Sequence, residues 1–299
     1  MVAPVLAQTK SHLCNLFKIN DSTYPATSIT LKDNATQLAI EDKIIANIPT
    51  QHPQDEIPIT LDGKAIYCVA GTLTADLVKE AASTGQFIIY GSINHNDRNY
   101  IRSYTNGAKS IKFINIDGEQ VTSLQQILYE SEASSVTFEN CNFSKVWTLL
   151  DAFSDMSNLT SFSFKGMGLT NKLTELRYMF FGCKKLESVD FCNCDFSSVN
   201  NLYGMFSNCS ALKSIDFSGC NLTSVSSTGN MFNSCSALES IDFSNCDFSN
   251  VTTIQYYMFA GCKALKEIKA IGCNEATIAF LKDRLNDADL TSQVTLTVK

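Results

Sequence analysis

Hydrophobic and polar positions in the C-terminal half of the chain follow one pattern that recurs every 26 to 27 residues. Three consecutive blocks nearly superpose: LESVDFCNCDFSSVNNLYGMFSNCSA, LKSIDFSGCNLTSVSSTGNMFNSCSA and LESIDFSNCDFSNVTTIQYYMFAGCKA. They begin at Leu186, Leu212 and Leu238, with related copies beginning at Leu159 and Leu265. Self-similarity at a fixed period of this length predicts a repeat architecture.

Each block combines two kinds of hydrophobic spacing. Val189 and Phe191 alternate with polar residues, which predicts a short strand with one face turned inward. Four apolar positions then follow at helix-like spacing on the return side: Met205, Phe206, Cys209 and Leu212. One block cannot bury its apolar face alone, so we expect stacked blocks to share a continuous core.

Weaker copies extend the array in both directions. The inward strand position is expected at Ile111, Val136, Phe162, Val189, Ile215, Ile241, Ile268 and Val294. Ile66 and Ile88 indicate two shorter upstream turns, whereas SITLKD around Ile29 is either an older turn or part of a cap. We therefore divide the chain into an N-terminal cap or separate region (1–59), a repeat array (60–270, clearest over 105–270) and a C-terminal cap (271–299).

The C-terminal segment changes character. NEATIAFLKDRLNDAD places Ile278, Leu281 and Leu285 at helical spacing with charges between them, and the strand QVTLTV follows. The expected fold is thus an α/β repeat, a right-handed leucine-rich-repeat-like solenoid capped at both ends. A parallel β-sheet would form one face, and short helices or turns would form the other.

The blocks match the leucine-rich repeat signature L-x-x-Φ-x-F-x-x-C-x-Φ, including its cysteine position. Their Ile-Asp-Phe-Ser strand, D-x-S-x-V turn and Met-Phe-x-x-Cys segment resemble the BspA-like leucine-rich repeats of surface proteins from anaerobic bacteria and some protozoa. The resemblance is strong over 159–270, fainter over 105–158 and does not cover the first 60 residues. It implies a non-catalytic cell-surface or secreted protein that adheres to a host or partner through a protein or glycan ligand.

Nine of the twelve cysteines fall into two columns when the blocks are aligned. The first column contains Cys141, Cys194, Cys220, Cys246 and Cys273. The second contains Cys183, Cys209, Cys235 and Cys262. Methionine takes the place of cysteine once in each column, at Met167 and Met156, which indicates a position for an apolar sulfur side chain.

We therefore expect two ladders of buried, reduced thiols. Disulfides between adjacent turns, or a metal site, are the alternative. Identical side chains in a ladder point in parallel, however, and metal sites favour paired C-x2-4-C motifs. Cys192 alternates with Cys194, so it is expected to point outward as the reactive thiol.

Charged residues form two columns on the outward side of the predicted strands. Six of them are candidate ligand contacts: Glu187, Asp190, Lys213, Asp216, Glu239 and Asp242. Like charges directly opposite one another are destabilising, so three stacked aspartates favour a binding role, although a solvated sheet face is the alternative. Asp195, Asn221 and Asp247 follow the cysteine position and are interpreted as turn formers.

Other classes of function find less support in the sequence. The net charge is −7, and neither half of the chain is basic, which disfavours nucleic acid as a partner. No apolar stretch is long enough for a membrane span, and no cofactor or metal motif is present. The histidines, His12, His52 and His95, lie outside the clear repeats. The N-terminus shows no intact signal peptide, so an intracellular interaction scaffold or effector is the alternative to a surface protein.

Overall fold

The computed structural model describes Leu73 and residues 75–83, 85–191, 194–251 and 256–299, and the backbone of five strands between residues 28 and 69. Four of these five strands pair antiparallel. Strand β1 (Ser28–Leu31) pairs with β4 (Ile57–Thr60), and β2 (Leu38–Ile40) pairs with β3 (Lys43–Ala46). The segment around Ile29 is therefore not an older turn of a parallel array.

Parallel pairing begins at β5 (Ile66–Val69), which forms a four-stranded sheet with β6 (Gln86–Ser92), β7 (Ser110–Asp117) and β8 (Ser135–Glu139). Helix α1 (Ala75–Ser83) connects β5 to β6, and α2 (His95–Tyr104) connects β6 to β7. These units agree with the two upstream turns expected from the sequence.

The inward position of β6 differs from the expectation by one residue. Phe87 pairs with both Ile66 and Ile111 and is fully buried, whereas Ile88 is 8% exposed. The run QFIIY is apolar at four of its five positions, so alternation in the sequence does not distinguish its two faces. Phe87, and not Ile88, is thus the residue equivalent to Ile111.

The later strands are only three residues long and come from successive blocks. They are β9 (Ser161–Ser163), β10 (Ser188–Asp190), β11 (Ser214–Asp216), β12 (Ser240–Asp242), β13 (Glu267–Lys269) and β14 (Thr295–Thr297). β9 pairs with β10, and β11 to β14 form a second parallel sheet in chain order. Phe162 pairs with Val189, and Ile215 pairs with Ile241, as the block alignment predicts.

The return side of these blocks consists of turns, which is one of the two alternatives expected for it, and the described residues between 105 and 270 form no α-helix. Alternate N–H groups donate to carbonyl groups of the next block. The N–H of Leu149, for example, donates to the Glu175 carbonyl at 2.9 Å. The groups between them close local turns, as when Ala152 donates to the Leu149 carbonyl at 3.0 Å. This arrangement satisfies the backbone between blocks, which helical bonds within a block would not do.

Left-handed residues make these turns possible. Two positions in each block have positive φ: one directly precedes the Met-Phe pair or its equivalent, and the other lies four residues later. The first column contains Gln126, Asp151, Tyr178, Gly204, Asn230 and Tyr257. The second contains Glu130, Asp155, Gly182, Asn208, Ser234 and Gly261. An α-helix has negative φ throughout, so two left-handed residues four positions apart exclude an α-helix over this part of each block.

Phenylalanine rings from successive blocks stack to form the centre of the core. Phe180, Phe206 and Phe232 are nearly parallel, with ring centroids 5.5 and 5.6 Å apart. Phe217 stacks on Phe191 at 4.7 Å and on Phe243 at 5.5 Å. Rings of the two columns meet edge to face, which is a favourable geometry for aromatic pairs. The two columns therefore form one apolar layer between the strands and the turns.

Helix α3 (Glu275–Asp287) and β14 complete the C-terminal end. The helix buries Leu281 and Leu285, and its residue Thr277 accepts a hydrogen bond of 2.8 Å from the Phe248 N–H. Leu296, and not the expected Val294, pairs with Ile268. The segment QVTLTV alternates over its whole length, so periodicity cannot separate its three candidate inward positions, Val294, Leu296 and Val298.

Candidate binding surfaces

Side-chain caps recur at three corners of the repeating blocks. At the end of the strand, an Asp or Ser accepts a hydrogen bond from the N–H two residues later. Asp216 caps Ser218 at 2.7 Å, and Asp242 caps Ser244 at 2.9 Å. Earlier blocks have the same cap at Asp117 and Ser163. This is the Asx or ST turn that these residue types favour.

The two other corners use the same device. One corner carries Ser123, Thr148, Glu175 and Asn201, which also form a ladder of single parallel bridges. The third corner carries Asn142, Thr170, Asp195, Asn221 and Asp247. The interpretation of Asp195, Asn221 and Asp247 as turn formers is confirmed by these bonds, and hydrogen bonds from Ser197 and Ser249 lower the pKa of the two aspartates.

The three stacked aspartates on the outward side of the strands, Asp190, Asp216 and Asp242, therefore have a structural task. Besides capping its own turn, Asp242 lies 3.9 Å from the ammonium of Lys269. Asp190 accepts a hydrogen bond of 3.0 Å from the Ser163 hydroxyl in the preceding block. Asp216 caps its turn through Oδ1, and its other carboxylate oxygen, Oδ2, has no hydrogen-bond or ion-pair partner among the described residues. The aspartates thus combine turn formation with an outward negative row.

The glutamates and lysines beside them alternate in sign and pair between blocks. Lys213 donates to Glu187 at 2.8 Å, and Lys266 donates to Glu239 at the same distance. The hydrogen bond from Lys266 lowers the pKa of Glu239, and the hydrogen bond to Glu187 raises the pKa of Lys213. All four side chains are more than half exposed. The structure therefore brings the six candidate contacts together on one surface, which we call the strand face.

The thiols of both cysteine columns act as hydrogen-bond donors. The Sγ of Cys209 lies 3.1 Å from the carbonyl of Phe180, and that of Cys235 lies 3.0 Å from the carbonyl of Phe206. Each carbonyl also accepts a local N–H, so it serves its own turn and the next block. In the other column, the thiol of Cys273 lies 3.1 Å from the carbonyl of Phe243. An S–H group at this position thus links consecutive blocks.

Burial keeps these thiols protonated. Desolvation raises the pKa of Cys141 to about 11 and that of Cys262 to about 12. It raises the pKa of Cys209 and Cys235 well above the ordinary range. All nine cysteines of the two columns are free in the structure. Because a thiolate is the nucleophile and the metal ligand, the fully buried thiols of the two columns are unreactive in the folded state.

Several residues discussed from the sequence lie outside the described part of the chain. Among them are Cys192, the expected reactive thiol, and the histidines His12 and His52. His95 is the first residue of helix α2. Within the described ranges, no group of three or more His, Cys, Asp or Glu side chains is arranged to hold a metal ion. None of the helices described there is both long and apolar enough to cross a bilayer.

The turn side carries a surface that the sequence reasoning missed. We call it the tyrosine strip and define it as Tyr178, Tyr203, Asn230, Tyr256 and Tyr257. The rings of Tyr178 and Tyr203 meet edge to face with centroids 5.4 Å apart. Asn230 donates through Nδ2 to the Tyr203 hydroxyl at 2.6 Å. The signal was present in the sequence. Tyr178 and Tyr257 directly precede the Met-Phe pair of their blocks, whereas Gly204 and Asn230 hold that position in the two blocks between them.

These features define an α/β repeat fold with mostly parallel strands, in which equivalent side chains of successive blocks form columns. A family model described as "Mycoplasma protein of unknown function, DUF285" matches residues 165–271, about a third of the chain. Among curated proteins, no sequence matches. A similar solved structure is a leucine-rich cell surface protein from Faecalibacterium prausnitzii, with 16% sequence identity and a TM-score of 0.35. The match covers 64% of this chain and 62% of that protein, so this chain spans less than two thirds of its length.

Proposed function

We propose that the protein is a non-catalytic ligand-binding repeat protein, a solenoid that acts in adhesion or partner interaction at the cell surface. The observation that carries the proposal is the in-register pairing of Ser214 with Ser240 and of Asp216 with Asp242. A stacked array of this kind presents one row of exposed side chains for each block, over a long surface. The BspA-like motifs of the sequence support the surface location.

The strand face is the proposed contact surface for a protein or glycan ligand. Its lysines and glutamates already pair with each other, so a partner would meet a row of preformed ion pairs and an outward negative column. The free oxygen of Asp216 is the acceptor best placed to receive a donor from the partner. Exposed ion pairs contribute little to stability, which leaves them available for recognition.

The test separates charge from fold. A triple variant, D190N/D216N/D242N, removes the negative column but keeps the Oδ1 acceptors that cap the turns. The matched control, D195N/D247N, removes charge at another corner, where the aspartates cap Ser197 and Ser249. Binding is measured on a glycan array and on a panel of purified extracellular matrix proteins. We expect the triple variant to lose roughly tenfold in affinity, the equivalent of about 1.4 kcal/mol, while the control binds normally. Equal binding by all three proteins would contradict a role for the strand face.

One observation favours a second candidate, an intracellular interaction scaffold. The nine cysteines of the two columns are free, a state that a reducing compartment maintains. Surface labelling of intact cells with an antibody against the repeats distinguishes the two candidates. Labelling without permeabilisation supports the surface protein, and labelling only after permeabilisation supports the scaffold.

A further inference from the structure

The tyrosine strip belongs to four consecutive blocks and lies on the turn side, apart from the strand face. Tyr256 is 54% exposed and Tyr257 is 60% exposed. The phenylalanine column Phe180, Phe206 and Phe232 is fully buried. Tyr178 and Tyr203 are half-buried. Exposed aromatic side chains grouped on a protein surface indicate an interaction site.

Two of the tyrosines occupy backbone conformations that are unfavourable for a bulky residue. Tyr178 has φ of 57° and Tyr257 has φ of 64°, in the left-handed region that disfavours bulky residues. Gly204 and Asn230, which suit this conformation, occupy the equivalent positions in the two intervening blocks. A ring retained in an unfavourable backbone conformation is explained by what the ring contacts, and strain of this kind concentrates at functional sites.

The polar groups of the strip are neutral. Asn230 uses one amide hydrogen on the Tyr203 hydroxyl, and its Oδ1 accepts from Asn233 at 2.9 Å. A side-chain amide has two hydrogens to donate, so both asparagines keep donor capacity for a ligand. Tyrosine faces carry partial negative charge that attracts polarised C–H groups. Ring faces combined with neutral amides and hydroxyls match a sugar, which presents C–H groups on its faces and hydroxyls at its edges.

The spacing of the blocks selects a periodic ligand. Successive rings of the underlying column lie 5.5 and 5.6 Å apart, and Tyr178 and Tyr203 lie 5.4 Å apart. An extended peptide places side chains on one face about every 6.6 Å, so it loses about 1 Å of register at each block. One pyranose unit of an extended glycan spans nearly the same distance as one block. We propose that the tyrosine strip binds a neutral, linear oligosaccharide, with one sugar at each of its four blocks.

The test uses Tyr257→Gly, which removes the most exposed ring and puts a residue suited to positive φ in its place. The probes are immobilised linear glucans, mannans, xylans and chitin oligosaccharides of increasing length, with sulfated and sialylated glycans beside them. We expect the wild-type protein to retain neutral probes, with affinity rising until the probe occupies all four blocks. Tyr257→Gly is expected to bind roughly tenfold more weakly, with no loss of thermal stability.

Trp147→Ala is the matched control, because Trp147 is 50% exposed but lies one residue before the bridge column, outside the strip. It should bind like the wild type. Retention of no neutral probe, equal binding by Tyr257→Gly, or equal weakening by both variants would each overturn the proposal. If the strand-face triple variant loses the glycan while Tyr257→Gly keeps it, this inference fails and the proposed function stands. If the wild type binds neither glycans nor matrix proteins, the proposed function fails as well.

Discussion

Buried thiols should make this protein unusually sensitive to alkaline pH. Six cysteines combine strong burial with a pKa raised to about 11 or beyond: Cys141, Cys183, Cys209, Cys235, Cys246 and Cys262. In the unfolded chain these thiols ionise near the ordinary cysteine pKa of 9.0. The folded state keeps its protons while the unfolded state releases them, so stability is complete below about pH 8 and falls as pH rises.

The magnitude follows from one pKa unit, which corresponds to about 1.4 kcal/mol. At pH 10, one unit above the unfolded pKa, each of the six thiols costs on the order of 1 kcal/mol. Together they remove several kcal/mol, which is a large part of the whole stability of a typical domain, about 5–15 kcal/mol. We therefore expect the protein to lose most of its stability between pH 8 and pH 10.

Urea unfolding followed by circular dichroism, at half-unit steps from pH 7 to pH 10.5 under a reductant, measures this dependence. Cys262→Ala provides the internal check, because it deletes one of the buried titrating groups. Near pH 10 its plot of unfolding free energy against pH should be shallower by about 1 kcal/mol per pH unit. A free energy that stays flat to pH 10, or an unchanged slope in the variant, would refute the assignment of buried, protonated thiols.

Other substitutions test the turns, the caps and the aromatic stack. Gly204→Ala should destabilise by about 2 kcal/mol in urea unfolding, because φ is +62° and the added Cβ would meet a tyrosine ring at 2.5 Å. Gly219→Ala, with φ of +105° but no atom within 4 Å, should cost less; the reverse order would contradict the role of the clash. Asp216→Ala should cost about 1 kcal/mol through loss of the cap on Ser218, whereas Asp216→Asn should be nearly neutral; equal losses would exclude the cap. Phe206→Leu removes ring stacking, so it should destabilise the fold by about 1 kcal/mol or more and lower the thermal midpoint. An unchanged midpoint would mean that the stack is not needed.

The parallel array was predictable because the hydrophobic period fixes which residues can pair. Ile215 and Ile241 pair as the block alignment requires, and the rings of Phe191, Phe217 and Phe243 meet in one column. These positions repeat in identity as well as in polarity, so a shift of one residue would turn every apolar side chain outward.

The nature of the return side was predicted less well. Apolar spacing there suggests a helix, but Gly204 and Asn208 mark two left-handed positions four residues apart. Asn230 occupies the first of these positions in the next block, and Gly182, Ser234 and Gly261 occupy the second in neighbouring blocks. That recurrence is the signal that distinguishes a chain of turns from a helix. The thiol contacts could not be derived, because the sequence shows that the position accepts sulfur but not that a carbonyl of the neighbouring block faces it.

The two candidate surfaces also differ in how far the sequence predicted them. The strand face was predictable, since alternation places Glu187 and Lys213 outward and their opposite charges suggest a pair. The structural task of the aspartates was not, because an Asx turn depends on the backbone after the strand. The tyrosine strip was overlooked because the aromatic residues were assigned to the core as a class, although Tyr257 stands where Asn230 stands in the preceding block.

The links between neighbouring blocks have a consequence for how such a chain can change its length. Each block receives the same backbone and thiol bonds from its neighbour, and Leu212 and Leu238 hold equivalent places. Excision of residues 212–237 would join two surfaces that already fit one another, whereas removal of a few residues would misalign every column beyond the cut. We therefore expect genetic gain or loss of whole modules to be tolerated, so that the reach of the protein can evolve in steps of one block without redesign of its interior.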